Sequence, residues 1–458
     1  MFQIKAATTT NENNTNNPCT LTASTEPPAV SSQYLPVSPV ATMGHIKWPP
    51  SLLRTDILGE ITDTSGRKIA RDIGRAVWLG GNCYYAFGDT FCHDVKNEFC
   101  GVTNNSIAYV PDPRGAPTQS TYIDYAAGNP GAVRAFVGYT DGERQHSVDA
   151  QGKEKHDRVT CWSFGGIVED REGCGSGWVF FDKMITVSSE SGKHYGIGVA
   201  RATVQPDKSI KLERPMGDET VFKEGEPKFG SISHLCDDDG FVYLMGGYDP
   251  TPGSLDMRCH LARIRRDADF TKRENYSFFC DSMDMKGEWR QQYDDPNQLA
   301  KMGDLDIQAQ GKLFKTPDFA PEGRRYMWIG VNKFMAGHFY VGSAPAITGP
   351  WEVHDFGELP NDPHPYDGHS SGPKYALYPN PRASDLARGE MLCTWTDAAQ
   401  MGGKVIAAKF WFEGDYERPP PPAPGVVEGG QGGHGAEHKH GDGKDKLKRD
   451  FLGGLLPK

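Results

Sequence analysis

Apolar residues in this chain gather in short runs of five or six, separated by turns rich in Gly, Asp and Pro, and few long runs carry helical spacing. The clearest case is the stretch from Ile69 to Phe91. Arg75 to Leu79 and Cys83 to Phe87 read as two strands joined across Gly80-Gly81-Asn82, and a short glycine-containing connection between apolar runs predicts a hairpin. A carboxylate stands beside a glycine at the outer end of each run, Asp72 two residues before Gly74 and Asp89 directly after Gly88. Because the start of one antiparallel strand lies beside the end of the next, the pattern places Asp72 and Asp89 together at one rim of a sheet.

The same kind of strand recurs. Tyr84 to Asp89, Trp178 to Asp182, Val242 to Gly246, Tyr326 to Gly330 and Met391 to Asp397 are aromatic runs closed by Gly or a polar residue, each preceded by a turn rich in Gly or charge. They start roughly 60 to 95 residues apart, which suits a four-stranded propeller blade of about 40 to 50 residues carrying insertions. Tyr195 to Arg201, Cys259 to Ile264 and His338 to Ala344 then read as third strands. The prediction is an all-β protein, a five-bladed β-propeller with disordered N- and C-terminal tails; a two-sheet sandwich is the rival architecture.

Composition sets the limits of that unit. Residues 1–45, rich in Thr, Asn, Ser and Pro, lack the apolar pattern needed to offset ordering entropy and read as a disordered arm. Residues 46–417 hold the propeller. After the polyproline run at Arg418 to Pro424, residues 418–458 form a tail of Gly, His and Lys expected to be disordered.

A formal charge of −11 argues against nucleic acid or an anionic membrane as partner. No run approaches the roughly 18 apolar residues of a membrane helix. The N-terminus lacks the apolar core of a secretory signal, so a cytoplasmic location is preferred to secretion, although Asn13, Asn104 and Asn275 stand in glycosylation triplets. Ten cysteines without a Cys-x-x-Cys pair speak against a zinc ribbon. Nucleophile-elbow, Walker and zinc-protease motifs are also missing from the sequence.

At Asp72-Ile-Gly74, Phe87-Gly-Asp-Thr90, Asn105-Ser106 and Ser343 to Trp351 the chain resembles a family long catalogued as a domain of unknown function. Some bacterial members of that family are endo-D-arabinanases, glycoside hydrolases of five-bladed propeller fold. The resemblance runs from about Asp56 to Phe412. Carried over position by position, it implies a catalytic carboxylate at Asp72, where arabinanase-like propellers carry a base, and the Gly-Asp-Thr carboxylate at Asp89.

Glycoside hydrolysis needs two carboxyl groups, set roughly 5 to 9.5 Å apart according to stereochemistry. A propeller brings acids from different blades to one mouth of its channel. Besides Asp72 and Asp89, the sequence offers Glu226, with Lys228 near enough to hold it ionised, as a third catalytic candidate. Substrate contacts are expected from Arg71, Lys228, Asp306, His364, Asp367 and His369. Trp162 and Trp395 are candidate sugar platforms, since sugar C–H groups stack on aromatic faces. The partner expected is a carbohydrate, bound by a monomer. No cofactor is called for, and a calcium ion in the channel is conceivable but not predicted. The competing function is a non-catalytic propeller that binds glycan or protein.

Overall fold

The computed structural model describes residues 44–416 apart from 126–131, 151–154, 156, 188–189, 251–257, 283–284, 307, 333–336, 364–370 and 401, together with 421–422 and 426–428. Five antiparallel sheets follow one another along the chain as the blades of a propeller. Blade one contains Arg75–Leu79, Asn82–Phe87 and Ser106–Val110, from the axis outward. In blade two, Ile167–Glu169 and Arg158–Trp162 both pair with Ser176–Val187, which is followed by Glu190–Val204 and Ile210–Glu213. Blade three runs Ser233–Cys236, Phe241–Tyr248, Arg258–Arg265 and Tyr276–Ser282, with Met285–Arg290 on its edge. Blade four is Gln308–Lys315, Tyr326–Asn332, His338–Ala344 and Glu352–Glu358. The five aromatic runs picked out in the sequence are the second strands of the five blades.

Why these strands are apolar on both faces follows from the stacking. Side chains alternate along a strand, and each blade is covered on both sides by its neighbours. In blade one, Tyr84 and Ala86 join Val179, Phe181 and Ala200 of blade two. Cys83, Tyr85 and Phe87, on the other face, pack with Val405 and Ala407 of blade five. Similar clusters fill the interfaces between blades two and three, three and four, and four and five. The core of the molecule is thus a ring of five interfaces.

The ring closes in a way that the strand pattern alone does not reveal. Blade five takes Lys374–Pro379, Glu390–Asp397 and Lys404–Phe412 from the C-terminal side and its outer strand, Leu52–Glu60, from the N-terminal side. Leu52 stands opposite Phe412 and Glu60 opposite Ile406. The buried Asp56 accepts a hydrogen bond from the Trp411 indole at 2.8 Å. Val427–Glu428 then pairs with Ile57 and Asp56 on the outer edge, so the expectation of disorder throughout 418–458 is corrected at these two residues. Residues 1–43, with Cys19 among them, and 429–458 lie outside the described residues.

A helix, Asp141–Ser147, stands in the connection between blades one and two, capped by Thr140 and Glu143. Glu143 is buried and paired with both Lys183 and Arg214, which fixes the insertion to blade two. Among the described residues no helix is long and apolar enough to cross a membrane.

Candidate active site

All five blades present the ends of their second strands, and the starts of their inner and third strands, to the same side of the ring. In blade one this side carries the predicted carboxylates. The Asp72 amide donates to the Asp89 carbonyl at 3.3 Å, and the Gly88 amide donates to the Asp72 carbonyl at 3.1 Å, so the hairpin continues past its strands and holds the two acids side by side. Asp72 Oδ2 accepts a 2.8 Å bond from the Tyr375 hydroxyl on the inner strand of blade five. Oδ1 is shut off from solvent and has no partner among the described residues. Burial, with the Asp89 charge adding to it, pushes the Asp72 carboxyl up to about 8.

The backbone around this acid is strained. Ile73, a β-branched residue, has φ +73° and Ala376 has φ +58°. Such conformations cost on the order of 1–3 kcal/mol each and persist only where surroundings enforce them. Thr396 Oγ1 accepts the Ile73 N–H at 2.8 Å, and Gln310 Oε1 accepts that of Ala376 at 2.9 Å. Both ends of the Asp72–Tyr375 bond are therefore set by a left-handed residue locked from a neighbouring strand. Gly88 is required for a different reason, because a Cβ there would stand 2.4 Å from Asp72 Oδ1. Gly88→Ala is expected to displace the carboxyl and lower turnover by about a hundredfold. Circular dichroism would check that the fold survives; full activity in a folded variant would show that the placement of Asp72 is unimportant.

A second polar cluster lies on blade two. Asp182 closes the aromatic part of the second strand, which runs on to Val187, whereas Asp397 ends its strand in blade five and Asp89 lies just beyond the corresponding strand of blade one. One Asp182 oxygen accepts a bond from His194 Nδ1 and the other from Lys228 Nζ, both at 2.7 Å. Burial alone would raise this carboxyl, but the Lys228 ammonium and the His194 ring hold it below the usual carboxylate range. Trp162 is paired with Asp182 across the strands. Its ring stacks on Phe164 with centroids 5.6 Å apart and planes inclined by 18°. Phe164 and Tyr375 both pack on Ile73, Ala376 and Tyr378. Phe164, which stacks on Trp162, and Tyr375, which binds the Asp72 carboxyl, thus flank the same small apolar cluster.

Beneath this surface the axis is filled by Arg75, which is 1% exposed. Its Nη1 donates to the carbonyls of Phe164 (2.8 Å), Ile232 (2.9 Å) and Gly311 (3.1 Å), in blades two, three and four. The guanidinium also lies over the Tyr378 ring of blade five, 4.7 Å from its centroid. One side chain of blade one thus ties together the other four blades.

Other expected site residues are placed elsewhere. Arg71 is buried, donates to the Ile61 carbonyl and Ser120 Oγ, and stacks over Phe87 and Tyr122, so it is a core residue and not a substrate contact. Trp395 is fully buried between blades four and five, because it sits in the middle of a strand covered on both faces. Glu226 is held at 2.8 Å by both Arg273 and Tyr293 on the outer side of blade three. Its expected companion Lys228 turns away to Asp182. Asp306 accepts the amides of Met302 and Cys259, fixing a turn. His364, Asp367 and His369 lie outside the described residues.

Sequence reasoning missed Asp182, His194, Tyr375 and Arg75. The recurrent acid closing an aromatic run was the available signal for Asp182. For Arg75 it was a charge opening a strand that is otherwise wholly apolar. A groove of about 550 Å³ between blades one and two, lined by Tyr109, Tyr139, Ile210 and Leu212 among others, is separate from this cluster. It arises where blade one has no full fourth strand to lay against blade two.

The fold and these residues define a five-bladed propeller with an acidic, aromatic mouth. No family model matches the chain, and no curated protein matches it. Among solved structures it is similar to a Bacteroides ovatus protein provisionally named a hydrolase, at 15% identity and a TM-score of 0.55, over 74% of this chain and 85% of that one. That likeness is one of fold. An α-L-arabinofuranosidase from Podospora anserina overlaps 79% of this chain and 98% of its own at 11% identity, with a TM-score of only 0.36. An exo-β-1,3-galactanase from Phanerochaete chrysosporium gives 13% identity and a TM-score of 0.38 over 76% and 62%. Nothing further rests on these two weaker overlaps.

Proposed function

We propose that the protein is a glycoside hydrolase that cleaves a furanoside-containing or related glycan at the channel mouth by means of paired carboxyl groups. The observation that carries this reading is the opposite tuning of two mouth acids. Asp72 keeps its proton at neutral pH, with its carboxyl pushed up to about 8, whereas Asp182 is held ionised. Acids whose surroundings drive their proton affinities apart are suited to the separate roles of proton donor and base or nucleophile. Asp72 then protonates the leaving oxygen, and Asp89 supplies the negative charge that helps keep Asp72 protonated. Trp162 offers the flat face for a sugar ring, and Lys228 and His194 hold Asp182 ready.

Incubation with a panel of polysaccharides and aryl furanosides tests the reading, with release of reducing ends as the expected result. Binding without release would assign the mouth to a non-catalytic glycan receptor. The pH profile gives a sharper test. Activity should fall as pH rises through about 8, where Asp72 loses its proton. Asp89→Asn removes the like charge that raises Asp72, so it should move this alkaline limb to lower pH. A limb that stays in place would separate Asp89 from the acid.

A further inference from the structure

The groove between blades one and two is walled by Ile107 and Tyr109 of Ser106–Val110 and by Ile210 and Leu212 of Ile210–Glu213, and it encloses about 550 Å³. That is within the range of small-molecule sites, roughly 300–1,000 Å³. It is not a vacant strand position. Tyr109 exchanges both backbone hydrogen bonds with Thr121, at 2.9 and 2.7 Å, which closes the outer edge of blade one to an added peptide strand at that point. A ligand in the groove is therefore held by side chains.

The polar side chains along the groove narrow its chemistry. Tyr84 donates its hydroxyl to the Lys208 carbonyl at 3.0 Å, and Tyr139 donates to the Val159 carbonyl at 2.9 Å. The Gln205 amide donates to the Thr203 carbonyl at 3.0 Å, and the Ser209 and Thr140 hydroxyls donate to Asp207 and Asp218. With these donors engaged inside the protein, a hydroxyl-rich sugar would leave polar groups unmatched. What remains is charge. Arg134, Lys208, Lys211 and Arg214 line the groove, against Asp124 as the one acid among the described residues. Glu143 neutralises Arg214, and Asp124 pairs with Arg134 at 3.2 Å. Lys211 pairs with Glu213, but both side chains are at least 60% exposed, and such a pair holds its partners weakly. Lys208 forms no ion pair with a described residue. Apolar walls thus meet unmatched positive charge beside the turn into Ile210–Glu213, on a protein whose formal charge is −11.

We propose that this groove binds a small amphipathic organic acid, with its carboxylate at Lys208 and Lys211 and an aliphatic or aryl body between Ile107, Tyr109, Ile210 and Leu212. Burial of the body supplies the affinity, and the cations select an acid over a neutral or cationic ligand of the same shape. The site is apart from the mouth, and the proposal does not depend on what the mouth cleaves.

The test is isothermal titration of the full chain with sodium decanoate, below its micelle concentration and at constant ionic strength, where one saturable site is expected. Octanoate should bind about tenfold more weakly, since it buries two methylenes fewer. Lys208→Gln should weaken decanoate by about three- to fivefold, the effect of an exposed ion contact. Decyl maltoside carries a neutral sugar head on the same chain and should bind more weakly than decanoate; equal or tighter binding would assign the groove to a sugar and overturn the proposal. An unchanged decanoate affinity in Lys208→Gln would overturn it too. Methyl NMR spectra of the wild-type chain locate the site without any variant. Decanoate should shift the methyl signals of Ile107, Ile210 and Leu212, and shifts confined to other residues, or no saturable binding at all, would refute the groove.

Discussion

Asp72→Asn should lower turnover by at least about a hundredfold, the lower end of what a general acid contributes. The substitution keeps the size of the side chain and the acceptor for Tyr375 but carries no transferable proton. Its effect on stability is separate and has a definite sign. The Asp72 carboxyl is raised in the folded protein, so the native state binds the proton more tightly than the unfolded chain does. The protonated acid favours folding fully below the unfolded pKa near 3.8, and that advantage is lost as pH rises towards about 8. Asparagine has no such dependence. The stability of the variant relative to wild type should therefore improve from pH 4 to pH 8 and level off beyond, as followed by urea unfolding. A variant that keeps its activity per folded molecule but is less stable than wild type at every pH would make Asp72 a structural turn acid.

Arg75→Met should be the most destabilising single change at the axis. It strips the donor from three buried carbonyls in three blades, each left with a desolvation cost of about 1–3 kcal/mol. Loss of about 3–5 kcal/mol is expected, the range found when one partner of a buried charged contact is removed. Arg75→Lys keeps the charge but not the planar fork, and should fall between the two. Equal urea midpoints for Arg75→Met and wild type would show that the blades hold together without an axial tie.

Much of the fold was legible because blade strands must be apolar on both faces, which makes the second strands stand out as aromatic runs. Two pieces were not. The burial of Leu52–Glu60 comes from a partner at the far end of the chain, and its own sequence is half polar. Val427–Glu428 is too short to carry a pattern. At the site, the Asp72 and Asp89 rim followed from hairpin geometry alone. Trp395 was misplaced because a tryptophan in mid-strand and one at a strand end look alike until the register is known. Glu226 and Lys228 are two residues apart, which suggested a pair, yet the turn between them sends one to the outer strands and the other to Asp182.

The strand that completes blade five has a consequence for synthesis. Asp56 and Trp411 are 355 residues apart. As the polypeptide leaves the ribosome, Leu52–Glu60 emerges early, with its hydrogen-bonding edge open, and waits for Lys404–Phe412 to be translated. At about 5–20 residues per second that interval lasts some tens of seconds. Throughout it the nascent chain offers an unpaired edge to any neighbour. Truncated chains ending before residue 404 should accordingly be the species that chaperones retain, and release should coincide with the arrival of the last strand.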